Sequence, residues 1–160
     1  MSIELRAVRT GALLAAAFLA ACLSSNALAH QPPKPDDLES ALEAMMAGES
    51  QVRGPELERR IEAAAAHPLG SQENPVRAAM PPGQHAYLQR VRCSDGRAPA
   101  FSRIGNFGEG VYGNIIDGYR VICRGASPAE SVVYMDMYHR GHVEERAVPG
   151  FTILPSRPAV

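Results

Sequence analysis

The chain is 160 residues long, 46% hydrophobic and 21% charged, with a formal net charge of −1 at pH 7. That length supports one domain with a modest core, and the near-neutral balance leaves no basic field for nucleic acid. Lysine occurs once, at Lys34, so the body of the chain carries no lysine-dependent phosphate loop.

Arg6 and Arg9 precede an apolar run from Leu13 to Leu23, and Ala27-Leu28-Ala29 follows with small residues. Charged, apolar and small-residue regions in that order read as a bacterial export signal. The apolar run is shorter than the roughly 20 residues of a membrane-spanning helix. Two maturation routes stand side by side. Cleavage after Ala29 makes residues 1–29 a signal peptide, starts the chain at His30 and removes Glu4, Arg6 and Arg9. Leu19-Ala20-Ala21-Cys22 instead reads as a lipobox, which makes residues 1–21 a lipoprotein signal and Cys22 the lipidated residue. The expectation is an exported protein, periplasmic or lipid-anchored, that touches the membrane only through such an anchor.

Residues 30–35, "HQPPKP", form a proline-rich linker. In residues 36–70 the pattern turns helical. Asp36 and Glu39 have the spacing of a capping box, Leu38, Leu42, Met45 and Met46 recur at helical intervals, and Gly48 ends the first helix. In "GPELERRIEAAAAHPLG", Pro55 suits a first helical position, Leu57, Ile61 and Ala64 or Ala65 form a narrow apolar stripe, and Pro68 with Gly70 stop the second.

Residues 71–160 read as a β-rich domain. "HAYLQRVRC" at 85–93 alternates Tyr87, Val91 and Cys93 against Leu88, Arg90 and Arg92, which predicts a strand. Further strands are predicted in "PAFSRIGNF", "GNIIDGYRVICR" and "SVVYMDMYH", with "HVEERAV" and "FTIL" as a closing pair. Cys93 and Cys123 remain as a pair in an exported chain, where an oxidising compartment favours a disulfide. Closing that loop stabilises by roughly 3 kcal/mol in the chain-entropy model. The expected fold is α+β, with two N-terminal helices, a small antiparallel sheet or barrel, and one disulfide.

Gly108-Glu109-Gly110-Val111-Tyr112-Gly113 has the glycine spacing of nucleotide-binding loops. The β-branched "NIIDGYRVIC" that follows reads as a strand, whereas a dinucleotide fold needs a helix there. "GEGVYGNI" resembles the glycine-rich loop of protein kinases, but the phosphate-pairing lysine and the Asp-Phe-Gly motif of that family are absent. The loop therefore reads as a hairpin whose glycines take positive φ or allow close backbone approach.

The densest polar cluster is "YMDMYHRGHVEE" at 134–145. Strand alternation aligns Met135, Met137 and His139, and a turn at Arg140-Gly141 brings His142 opposite His139. Thioether with imidazole suits copper, and two imidazoles with Glu144 or Glu145 suit zinc. A bare His30 would resemble the amino-terminal ligand of histidine-brace copper proteins. Asp117, Asp136 and Glu109 are the carboxylates available for hydrolysis, with Asp136 expected to hydrogen-bond or to pair with an arginine such as Arg120.

From "LGSQENPVRAAMPPGQHAYLQRVRC" through "VYMDMYHRGHVEERAVPGF", the chain resembles small exported bacterial proteins of unknown function. That resemblance implies an envelope location and assigns no residue a role. The leading expectation is a non-enzymatic envelope module that binds an envelope protein or small ligand. Tyr87, Tyr112, Tyr119, Tyr134 and Tyr138 are its recognition groups. A periplasmic copper or zinc protein using His139 and His142 is the first alternative, and a small hydrolase the second.

Overall fold

The computed structural model describes residues 35–47 and 50–156. The expected export signal, Cys22 and His30 lie outside the described residues. Helix α1, Pro35–Met46, begins at the proline itself, so Asp36 and Asp37 sit in its first turn, where the helix dipole favours acids. Leu38, Leu42 and Met46 follow the expected spacing, yet each is more than half exposed. Helix α2, Gly54–Ala65, has a proline at its start, and its Glu56 accepts hydrogen bonds from Arg59 and Arg60. Ala64 is the buried residue of its narrow apolar stripe.

The rest of the chain builds a mixed sheet, not an all-antiparallel sheet or a barrel. Its strands are β1 (Val76–Arg77), β3 (Ala100–Glu109), β4 (Ile115–Ile122) and β5 (Glu130–Asp136), in the order β1-β5-β4-β3. β3–β4 and β4–β5 are antiparallel, whereas β1 runs parallel to β5. A parallel neighbour requires a long crossover. The chain between β1 and β5 supplies one, because it makes a helix and two more sheet strands before it returns. A separate two-stranded ribbon pairs β2 (Val91–Arg92) with β6 (Thr152–Ile153). Residues 142–148, expected as a strand, are irregular, and "FTIL" pairs with β2 instead.

The strand predicted over 85–93 is largely a helix. Helix α3, Met80–Arg90, follows an extended Ala79 and has prolines in its first turn. Gln84, Tyr87, Leu88 and Val91 are buried at intervals of three and four residues, which is helical spacing. The apparent alternation spans two structures: Tyr87 belongs to the buried face of α3, and Val91 opens β2.

The core lies between α3 and one face of the sheet. It joins Tyr87 and Leu88 to Tyr119 and Val121 of β4 and to Val133 and Met135 of β5, with Val148 and Phe151 closing one side. The expected disulfide is present: Cys93 after β2 bonds Cys123 after β4, with Cα atoms 5.7 Å apart. Tyr87 and Tyr119 are 2% exposed and pack in this core. Among the described residues, no helix is long and apolar enough to cross a membrane.

Candidate functional site

The glycine-rich hairpin between β3 and β4 organises one end of the sheet. Gly110 N–H donates to the Asn114 carbonyl at 2.8 Å, and Gly113 N–H donates to the Gly110 carbonyl at 3.0 Å. Gly113 adopts φ +79°, and a Cβ there would lie 2.8 Å from Val52 Cγ2. That close approach lets the segment before α2 dock. Ser50 Oγ and the amides of Gln51 and Val52 all donate to the Tyr112 carbonyl, at 2.8, 2.9 and 3.2 Å. The Arg60–Glu109 ion pair at 2.9 Å ties α2 to the end of β3. The loop thus seats backbone against backbone and sets the Tyr112 ring edge-on to His139, with centroids 4.4 Å apart.

Behind Tyr112 lies a buried polar cluster. Asp136, the last residue of β5, is fully buried. Its Oδ1 accepts from the Tyr138 amide at 3.0 Å, and its Oδ2 accepts from Asn114 Nδ2 at 3.2 Å. His139 Nε2 lies 3.1 Å from Asp136 Oδ2, but the approach is not aligned as a hydrogen bond. The chain bends at Asp136, so the predicted alternation stops there. Met135 is buried in the core face, whereas His139 turns to Asp136. Asp136 is held by these groups, not by Arg120, whose partner is Glu130 at 3.1 Å.

The turn at Arg140-Gly141 forms as expected, with the His142 amide donating to the His139 carbonyl at 3.0 Å. The two imidazole centroids are 6.4 Å apart. His142 Nε2 is 3.7 Å from Glu144 Oε2, and it too is buried without a directed hydrogen-bond partner among the described residues. No group of three or more His, Cys, Asp or Glu among the described residues is disposed to hold a metal ion.

Electrostatics separate these groups. Burial, with the nearby Arg77 charge, pushes His142 below its ordinary value despite the opposing pull of Glu144. Burial alone would raise Glu144, but hydrogen bonds from the Arg146 side chain and amide, together with the Arg146 charge, hold it below the usual carboxylate range. Burial raises Tyr112, partly offset by Arg77. At neutral pH the site therefore presents a neutral His142, an ionised Glu144 neutralised by Arg146, and the positive charge of Arg77.

Asp117, the other carboxylate expected near the chemistry, is elsewhere. It aligns with Met135 while Ile116 aligns with Asp136, so Asp117 and Asp136 face opposite sides of the sheet. Asp117 accepts from Arg103 at 2.6 Å and from Gln84 at 3.1 Å. Glu109 is an exposed partner of Arg60, and Glu145 pairs with Arg90 at 2.6 Å. The structure brings together Asp136, His139, His142 and Glu144, and adds Arg77, Tyr112, Asn114 and Arg146. Arg77 and Asn114 carried no motif or spacing signal.

Two adjoining cavities flank this cluster and share Arg77 and Glu144 in their walls. One, of about 290 Å³, opens over α3 beside His142. The other, of about 230 Å³, lies between α2 and Tyr112. No protein-family profile, curated protein or solved structure matches the chain.

Proposed function

We propose that this chain is a non-enzymatic binding module of the bacterial envelope, periplasmic or lipid-anchored, and that its ligand site is the pair of cavities walled by Arg77 and Glu144. The observation that carries this reading is the shared wall, where Arg77, Glu144 and the half-buried His142 imidazole border a largely apolar pocket over α3. The acids around them are already engaged: Glu144 with Arg146, and Asp136 with Asn114 and the Tyr138 amide. That arrangement offers recognition groups and assembles no nucleophile–base pair among the described residues. The export signal and the Cys93–Cys123 disulfide support the envelope location.

The test is native mass spectrometry of the purified protein after incubation with the small-molecule fraction of bacterial envelopes. An adduct of defined mass that disappears in Ala86→Leu, which narrows the cavity from its α3 wall, supports the reading. No adduct, or one that Ala86→Leu retains, would sink it. Intact mass of envelope-derived protein decides between a lipidated Cys22 and a His30 start.

A second reading, copper or zinc binding at His139 and His142, is favoured by their two buried Nε2 atoms without directed partners. Binding would have to draw the rings together with Asp136 or Glu144. Stoichiometric metal retained after dialysis and lost in His139→Ala supports it; the absence of uptake removes it.

A further inference from the structure

The cavity over α3 has an apolar lining from Ala78, Ala79, Gly83, Ala86 and Val143, with charge at one end. Its volume of about 290 Å³ sits at the small end of ligand sites, whereas about 150 Å³ is enough for benzene. One ring or a short chain fills it.

The charges at its end are not equivalent. Arg90 is committed to Glu145 Oε2 at 2.6 Å and to the carbonyls of Leu154 and Glu144. Glu144 is neutralised by Arg146, whose Nε lies 3.0 Å from its carboxylate. Asp136 faces His139 and Asn114. Arg77 has no ion pair among the described residues; the Tyr112 hydroxyl and the His142 ring are the groups its charge acts on. His142 also lines the cavity, but its Nε2 is buried 3.7 Å from Glu144 Oε2.

Resting on the binding role proposed above, we infer that this cavity takes a small monocarboxylate with an apolar body, the carboxylate held by Arg77. A guanidinium matches a carboxylate as a two-pronged donor. A guanidinium without an ion pair among the described residues suits a monoanion, and the alanines and Val143 cover the apolar body.

Isothermal titration calorimetry with benzoate, benzyl alcohol and benzylamine tests this on the purified protein. Benzoate binds with a dissociation constant of about 1 mM or tighter, and the neutral and cationic analogues bind at least about ten-fold more weakly. Arg77→Gln weakens benzoate about ten-fold or more. Ala86→Leu, at an exposed helical position, abolishes binding without altering the urea midpoint. Benzylamine or benzyl alcohol binding as well as benzoate overturns the carboxylate assignment while leaving the cavity a binding site. Benzoate affinity unchanged in both variants places the ligand elsewhere and overturns it too. Silence from all three also overturns it, and the envelope-extract experiment then decides the binding role on its own.

Discussion

Replacing Tyr119 with phenylalanine removes one hydroxyl from the centre of the core and leaves the Gln84 carbonyl without its donor. Tyr119 is 2% exposed and Gln84 0%. The Tyr119 hydroxyl donates to Gln84 Oε1 at 2.9 Å, and Gln84 Nε2 donates to Asp117 Oδ2 at 3.1 Å. A buried acceptor without a partner costs about 1–3 kcal/mol, since no water replaces the lost donor. Gln84→Leu costs a similar amount, because it strands the Tyr119 hydroxyl while Asp117 keeps Arg103 at 2.6 Å. In the double variant both groups are gone together, so Tyr119→Phe costs little in the Gln84→Leu background. The expected coupling is about 1–2 kcal/mol. Urea unfolding with the disulfide intact reads it. At a slope of about 2 kcal/mol per molar, a 2 kcal/mol loss lowers the midpoint by about 1 M. Equal costs of Tyr119→Phe in both backgrounds would refute the hydrogen bond and, with it, the docking of α3 on β4. A strand over 85–93 predicts that null coupling.

Three further outcomes follow from the same geometry. Replacing both Cys93 and Cys123 with serine removes a cross-link across a separation of 30 residues, and stability falls by about 3–4 kcal/mol in the chain-entropy model; an unchanged urea midpoint would contradict this. Gly113→Ala costs about 1–2 kcal/mol from its positive φ, plus the contact with Val52, and it accelerates hydrogen exchange at the Gln51 and Val52 amides. Gly108→Ala, at φ +80° with nothing within 4 Å of its Cβ, bears the backbone cost and leaves those amides protected, so equal exchange in the two variants counts against the docking. Because His142 is depressed below its ordinary 6.5, the unfolded chain takes up that proton first. Stability is therefore full above about pH 6.5 and falls as pH drops from there toward the lower folded value. Glu144, depressed below 4.5, adds a second loss as pH falls through its own folded value. His142→Asn removes the upper step; urea midpoints from pH 7.5 to 4.5 that still fall in His142→Asn as in the parent would show that His142 is not the group responsible.

Local signals in the chain located several elements. Proline and helical spacing marked the helices at 35–46 and 54–65, although the capping residues were misplaced because α1 starts at Pro35. Glycines and β-branched runs marked the β3–β4 hairpin, and two cysteines downstream of an expected export signal marked the disulfide. These features depend on neighbours within a few residues, so periodicity and turn chemistry reveal them. Residues 85–93 satisfied two periodicities at once. Helix was decided by contacts that local pattern does not contain: Gln84 and Tyr119 are 35 residues apart.

The candidate site divides the same way. His139, His142, Asp136 and Glu144 stood out as a dense polar run, and the turn at Arg140-Gly141 was readable from its residues. Which of them face one another was not, because Asp136 bonds the Tyr138 amide and breaks the alternation that would have placed His139 beside Met135. Arg77 and Asn114 were silent in sequence. Parallel pairing of β1 with β5 brings Arg77 level with Asp136, and the glycine hairpin brings Asn114 beneath it. The sequence alone therefore determined elements whose stabilising contacts are near in the chain. Tertiary structure decided the core helix and the cavity wall, because their stabilising contacts join segments far apart in the chain.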